Sequence, residues 1–127
     1  MTTLPMTDAV LYVEDDPSNI ALLERMFRKR PNLRLLVASS ARDGLDLARS
    51  ANPRLILLDR RLPDMLGNEV LRQLKASELT AAIPVVVLSG DSDKHHADEL
   101  KALGAADFLG KPFSIHELLA LVDRFCG

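Results

Sequence analysis

Five short apolar runs alternate with amphipathic segments along this chain, and no other feature of the sequence constrains the fold as strongly. The runs are nearly continuous rather than alternately apolar and polar, which predicts strands covered on both faces. They occupy residues 9–13, 33–38, 54–58, 85–89 and 106–110. Apolar residues at helical spacing follow each run and predict five helices, most clearly in the stripe from Ile115 to Cys126.

Strands that alternate with helices predict βαβ units, and therefore an α/β fold with a doubly wound parallel sheet between two helix layers. Two strand orders are common in such sheets, and both bind ligands at the carboxyl ends of the strands. Capping signals support the predicted helices. Asp16 precedes Pro17 as a helix cap, Gly104 is a C-cap candidate, and Ser114 and Glu117 form a capping box.

The composition is that of a globular protein, with 47% hydrophobic and 27% charged residues among 127. We expect one domain over residues 1–127, with its core at about 8–126 and no output domain. The net charge of −2 provides no general attraction to nucleic acid or membranes, and the apolar runs are too short to insert into a bilayer. We also expect a cytoplasmic location, because no secretory signal is visible and the single Cys126 fits a reducing compartment.

Polar side chains collect where the predicted strands end. They are Glu14 and Asp15 after the first run, Asp59 after the third, Ser89 after the fourth and Lys111 after the fifth. In the strand order 2-1-3-4-5 those four strands would be contiguous, and the acids would crowd together. Crowded carboxylates favour a hard divalent cation such as Mg²⁺. Acid, metal, ammonium and hydroxyl are the groups needed for phosphoryl transfer to Asp59.

The sequence closely resembles the receiver domain of two-component response regulators over about residues 8 to 126. Four motifs in order carry the resemblance, and they are VEDD at 13–16, LLDRRLPDMLG at 57–67, VVVLSG at 85–90 and GAADFLGKPF at 104–113. The resemblance implies a flavodoxin-like fold with five strands in the order 2-1-3-4-5 and five helices. It also implies a cis bond between Lys111 and Pro112.

The resemblance further implies a role for each site residue. Asp59 matches the phosphoacceptor, Asp15 the direct ligand of Mg²⁺, and Glu14 an acid that binds the metal mainly through water. The backbone carbonyl of Arg61 matches a third protein ligand of the metal. Ser89 matches the hydroxyl residue that bonds to the phosphoryl group, and Lys111 matches the lysine that pairs with it. Phe108 matches the aromatic residue whose rotamer reports the active state.

Several residues have competing interpretations. Phe108 is either the switch residue or an ordinary core aromatic. Leu121 falls off the main apolar stripe of the last helix, so we expect exposed aliphatic surface there, or else part of a dimer or partner face. Arg61 and Asp91 should flank the pocket entrance, where we hypothesise that they pair and shield an acyl phosphate from water. His95, His96 and His116 are expected to be surface residues.

The function implied by the resemblance is a signalling switch rather than an enzyme. A sensor histidine kinase or a histidine phosphotransfer protein would donate a phosphoryl group to Asp59, and a protein-interaction surface for an unknown downstream protein would change. The chain would be a monomer or weak homodimer, either a single-domain regulator or the receiver of a hybrid kinase. A degenerate receiver that is never phosphorylated is one alternative.

Two further alternatives belong to other classes of protein. A haloacid-dehalogenase-type phosphohydrolase would also depend on Mg²⁺ and use a strand-end aspartate, but it needs a second acid where this chain has Arg61. A flavodoxin-like electron carrier needs a hydroxyl-rich phosphate loop after the first strand, where this chain has an acidic cluster.

Overall fold

The computed structural model describes residues 8–90 and 97–126. Five strands and five helices alternate along the chain. In order they are β1 (Asp8–Val13), α1 (Pro17–Phe27), β2 (Leu33–Ala38), α2 (Ala41–Ala51), β3 (Leu55–Asp59), α3 (Gly67–Ala76), β4 (Val85–Gly90), α4 (Ala97–Ala102), β5 (Asp107–Lys111) and α5 (Ile115–Cys126). The predicted strands are confirmed to within one residue at each end.

The strands form one parallel sheet in the order β2-β1-β3-β4-β5, which confirms the predicted topology. Helices α2, α3 and α4 pack on one face, and helices α1 and α5 on the other. Successive residues of a strand point to opposite faces, so Leu11 and Val13 face the first helix layer while Val10 and Tyr12 face the second. Both faces are therefore covered, which explains the nearly continuous apolar runs.

The predicted helix-capping residues are also confirmed. The side chain of Asp16 accepts a hydrogen bond from the amide of Ser18 at 2.8 Å, and Pro17 occupies the first helical position. Ser114 and Glu117 exchange the two hydrogen bonds of a capping box. Gly104 has a φ of +109°, a left-handed conformation that favours glycine after a helix. The Lys111–Pro112 bond is cis, as expected.

Leu121 corrects the sequence prediction. We expected exposed surface or a partner face, but the residue is only 9% exposed and packs in the layer formed by α1 and α5. The buried face of α5 is wider than one stripe because it covers the sheet and also meets α1. An ion pair at 2.7 Å links Arg30, in the turn after α1, to Asp123 of α5.

Candidate functional site

Strand register brings the predicted site residues to one edge of the sheet. Val13 of β1 pairs with Leu58 of β3, so the next residues, Glu14 and Asp59, emerge side by side at the carboxyl ends of these strands. Both acids continue the side of their strands that faces α1 and α5, because side chains alternate along a strand. Lys111 ends β5, two strands away from Asp59.

The ammonium group of Lys111 lies between the two acids. Its Nζ is 3.2 Å from Oε1 of Glu14 and 3.3 Å from Oδ1 of Asp59. The contact between Lys111 and Asp59 was expected from the sequence, whereas the equal contact with Glu14 was not. Carboxylate oxygens of Glu14, Asp15 and Asp59 all lie within 4.8 Å of one another, and Asp15 is exposed at the mouth of the site.

Glu14 receives five hydrogen bonds although its side chain is only 2% exposed. Its Oε1 accepts from three side chains, at 3.0 Å, 3.1 Å and 3.2 Å, which belong to Tyr12, Asn19 and Lys111. Its Oε2 accepts from the backbone amides of Asp15 and Asp16, at 3.1 Å and 3.3 Å. These amides begin the turn into α1, so the backbone that follows Glu14 donates hydrogen bonds to the side chain of Glu14.

The two buried acids differ in their electrostatics. Burial by itself raises the pKa of Glu14, but the charge of Lys111 and the hydrogen bonds that Glu14 accepts outweigh it, and the pKa lies below its usual value. Burial raises the pKa of Asp59 to about 6, because the opposing charge of Lys111 is offset by repulsion from Glu14. Burial lowers the pKa of Lys111, yet attraction to both acids raises it above the usual value overall.

Tyr12 of β1 is a further donor to Glu14. Burial and the negative charge of Glu14 raise the pKa of its hydroxyl far above the usual value, so the group stays protonated and acts as a donor. Neither Tyr12 nor Asn19 was predicted from the sequence as part of the site. The signals were a polar aromatic two residues before the acid on the same strand face, and an amide in the first turns of α1.

Ser89 and Phe108 lie on the two neighbouring strands β4 and β5. Ser89 is 1% exposed and pairs in register with Gly110, one residue before Lys111. Phe108 is half-buried and packs against the layer that contains α2, α3 and α4. This position fits both the switch and the core interpretation, so the switching role of Phe108 stays a prediction.

The loop between β3 and α3 contains the remaining predicted residues. Arg61 is exposed and forms an isolated antiparallel bridge with Leu66. Asp91 lies outside the described residues, as do His95 and His96, so the proposed pairing of Arg61 with Asp91 stays a prediction. Arg60 is only 8% exposed and is part of the buried base of the loop.

Gly67 holds this loop against the end of β3. Its amide donates to the carbonyl of Arg60 at 2.7 Å. A Cβ at this position would lie 2.8 Å from the Cα of Arg60 and 3.0 Å from the carbonyl oxygen of Asp59, which is too close for any side chain. The absence of a side chain at Gly67 in the LPDMLG motif therefore lets the loop pack directly against the backbone of Asp59 and Arg60.

Asp64 ties the same loop to a neighbouring helix, which the sequence analysis did not predict. Its carboxylate accepts hydrogen bonds from the amides of Ala41 and Arg42, at 2.9 Å and 3.1 Å, at the start of α2. The bond from Ala41 is the main reason why the pKa of Asp64 lies below its usual value. A link across more than twenty residues leaves no local signal in the sequence.

An apolar cleft of about 330 Å³ adjoins the acidic site between α1 and the turn after β5. Its polar end is formed by Tyr12, Asn19 and Lys111, and its walls by four further residues, Leu22, Leu23, Pro112 and Phe113. Leu22 is 42% exposed at the rim. Exposed apolar surface therefore lies directly beside the charged groups.

The acidic cluster fits a hard divalent cation. Three carboxylates from two strand ends converge within reach of one ion, and at least one of them, Asp15, is open to solvent. Burial is the main cause of the raised pKa of Asp59 and repulsion from Glu14 adds to it, so a bound cation would favour the ionised carboxylate. The oxygen-only donor set is the kind that Mg²⁺ prefers over softer ligands.

A parallel five-stranded sheet in this order, with acids and a lysine at its carboxyl edge, defines the class of flavodoxin-like α/β domains with a charged switch-point site. Within that class, the profile of the response regulator receiver domain matches residues 10–123 of the chain. The chain belongs to the response regulator receiver domain family of two-component signalling. Members of this family are signalling modules rather than conventional enzymes.

Two curated relatives illustrate the range of the family. The chain is 34% identical over 113 residues to the cell cycle transcriptional regulator CtrA of Caulobacter vibrioides. The matched region is 89% of this chain and 48% of CtrA. The chain thus spans about half the length of that relative. The chain is also 30% identical over 122 residues to the polar-differentiation response regulator DivK of Brucella abortus. That matched region is 96% of this chain and 98% of DivK.

A solved structure shows the same fold. The receiver domain of the sensor histidine kinase PA1611 from Pseudomonas aeruginosa superposes with a TM-score of 0.84 at 27% identity, over 94% of this chain and 98% of that one. That structure is described with a magnesium ion coordinated in its active site cleft. In the part of this chain that the structure describes, no helix is long and apolar enough to cross a membrane.

Proposed function

We propose that this chain is a phosphate-accepting receiver in which Asp59 takes a phosphoryl group from a phosphohistidine on a partner protein. The observation that carries the proposal is Lys111 placed between Glu14 and Asp59, beside the exposed carboxylate of Asp15. The partner is a sensor histidine kinase or a histidine phosphotransfer protein, and we place the reaction in the cytoplasm.

The transfer is a single displacement at phosphorus. A carboxylate oxygen of Asp59 attacks the phosphorus atom, the bond from phosphorus to the partner's imidazole nitrogen breaks, and that nitrogen keeps the electron pair. The product is an acyl phosphate on Asp59. Its later reaction with water releases inorganic phosphate and restores the carboxylate. A pKa of about 6 leaves Asp59 mostly ionised, and so nucleophilic, at neutral pH.

Mg²⁺, when bound, would neutralise part of the charge shared by the acids and the incoming phosphoryl oxygens. Asp15, Asp59 and the carbonyl of Arg61 would hold it. Both carboxylate oxygens of Glu14 already accept hydrogen bonds, which supports contact with the metal through water rather than directly. Lys111 pairs with the phosphoryl oxygens, and the hydroxyl of Ser89 donates a hydrogen bond to them.

The new negative charge would then act on the two strand ends that contain Ser89 and Lys111. Phe108, three residues before Lys111 on β5 and opposite Val87 of β4, would turn inward, and the surface used by a downstream protein would change. We treat this as a shift in the populations of two pre-existing states. Arg61 at the loop surface would influence how long the acyl phosphate survives.

The test is incubation with acetyl phosphate and Mg²⁺, followed by intact-mass measurement. We expect the mass of one phosphoryl group to be added to the parent protein and to Asp46→Asn, a control that removes an exposed aspartate on α2. Asp59→Asn should remain unmodified. A parent protein that gains no phosphoryl group and binds no beryllofluoride would contradict the proposal and favour a degenerate receiver.

A further inference from the structure

The contacts of Glu14 raise a question that the proposed function does not answer. The ammonium group of Lys111 is shared between Glu14 and Asp59 at nearly equal distances, 3.2 Å and 3.3 Å. Pairing with a phosphoryl group on Asp59 would draw Lys111 away from Glu14. A buried carboxylate that loses its cation is left with the cost of burial uncompensated.

Tyr12 and Asn19 supply the compensation. They donate to the same oxygen of Glu14 as Lys111 does, at 3.0 Å and 3.1 Å. Tyr12 is fully buried in β1, so its ring is held by the sheet and by the layer of α1 and α5. Asn19 belongs to α1, which is capped by Asp16 just before it. Both donors are held by the elements that contain them, so neither would follow Lys111.

We infer that Tyr12 and Asn19 are positioning residues that hold Glu14 in place and allow Lys111 to leave it for a phosphoryl group on Asp59. They act through Glu14 and touch neither the phosphoryl group nor the metal. The inference rests on the proposed function, since it concerns the redistribution of Lys111 during phosphorylation. It assigns a role to two side chains outside the acid, lysine and hydroxyl positions of the receiver motifs.

The first test compares Tyr12→Phe with the parent protein, using beryllofluoride and Mg²⁺ as the phosphoryl mimic. The substitution removes one hydroxyl and keeps the ring. Glu14 would then hold Lys111 more tightly, and we expect beryllofluoride to bind about tenfold more weakly, the equivalent of one hydrogen bond to a charged group. Isothermal titration calorimetry measures the affinity.

A spectroscopic readout separates positioning from general destabilisation. In the parent protein, beryllofluoride should shift the ¹⁵Nζ resonance of Lys111 and leave the ¹³Cδ resonance of Glu14 nearly unchanged. In Tyr12→Phe the Glu14 resonance should move as well, because the hydroxyl of Tyr12 is no longer there to compensate for the departure of Lys111. Asn19→Ala provides a second variant at the same oxygen, in case the change at Tyr12 prevents folding.

Thr80→Val is the matched control. Thr80 is 1% exposed, and its hydroxyl donates to the carbonyl of Leu74 at 2.6 Å, remote from the acids. It should lower stability without changing beryllofluoride affinity or the Glu14 resonance. Parent-like affinity in Tyr12→Phe and Asn19→Ala, or an equal loss in Thr80→Val, would overturn the inference. A parent protein that binds no beryllofluoride would instead overturn the proposed function, and the inference with it.

Discussion

The ends of β1 and β3 place two carboxylates side by side, and the pKa values of these carboxylates shift in opposite directions. The side chains of Glu14 and Asp59 are both largely buried, at 2% and 11% exposed. The pKa of Glu14 nevertheless lies below its usual value, whereas that of Asp59 is raised to about 6. Burial raises both pKa values, so burial alone does not explain why they shift in opposite directions; the difference comes from the charges and hydrogen-bond donors around each acid.

Backbone geometry explains the difference in donors. After Glu14 the chain turns into α1, so the amides of Asp15 and Asp16 are available to its carboxylate. After Asp59 the chain continues the sheet for one more step, and the amide of Arg60 donates to the carbonyl of Leu88 at 3.1 Å. Glu14 therefore has backbone donors fixed by the turn into α1, whereas Asp59 relies on Lys111 for compensation of its charge.

The largest effect in this comparison should follow from Lys111→Met, which removes the cation that the two acids share. We expect the free energy of unfolding to fall by about 2–3 kcal/mol near pH 8, where both carboxylates are ionised. The loss should shrink near pH 5, because Asp59 then takes up a proton. Urea unfolding at the two pH values measures both, and added Mg²⁺ should restore part of the stability.

Lys29→Met is the control for this variant, because Lys29 is exposed just beyond α1. It should change stability little at either pH. An equal loss for Lys111→Met at both pH values would show that the lysine contributes packing rather than charge, and the electrostatic account of the pair would then be wrong.

Glu14→Gln and Asp59→Asn should have effects of opposite sign near pH 7.5. The folded-state pKa of Asp59, about 6, lies above its value of about 4 in an unfolded chain, so ionisation disfavours folding. This penalty grows as the pH rises from about 4 to about 6 and is complete above that. Asp59→Asn should therefore add about 1–3 kcal/mol to the free energy of unfolding at neutral pH and nothing below about pH 4.

Glu14 behaves in the reverse sense. Its folded-state pKa is below the unfolded value, so its ionised form stabilises the fold above about pH 4.5, and the contribution disappears as the pH falls through the folded-state pKa. Glu14→Gln should cost about 1–2 kcal/mol near neutral pH. Chemical denaturation of both variants across this pH range tests the contrast, and two shifts of the same sign would refute it.

The sequence predicted the elements and the main partners of the site because their signals are periodic or belong to motifs. The strand order, the capping residues and the meeting of Asp59 with Lys111 are all present. Tyr12 was missed because an aromatic residue in a buried strand already has an explanation as core. Leu121 was mispredicted because a single helical stripe underestimates a helix that contacts both a sheet and a neighbouring helix.

Asp64 separates the effect of backbone donors from the effect of burial, because it accepts two backbone hydrogen bonds and is exposed. The expected effects at this residue are the smallest. It is exposed, yet the amides of Ala41 and Arg42 hold its pKa below the usual value. If donors rather than burial set the charge state of Glu14, the two acids should behave alike. The amide resonance of Ala41 should therefore follow the titration of Asp64, with a midpoint lower than that of an ordinary aspartate.

Asp64→Ala should abolish this titration and speed hydrogen exchange in the first turn of α2, with less effect on global stability than Glu14→Gln. Ser40→Ala is the control, because Ser40 caps the amide of Asp43 in the same turn and leaves the bonds to Asp64 in place. It should keep the titration seen at Ala41. A midpoint at the ordinary value would mean that two amides are insufficient, and the low pKa of Glu14 would then depend chiefly on Lys111.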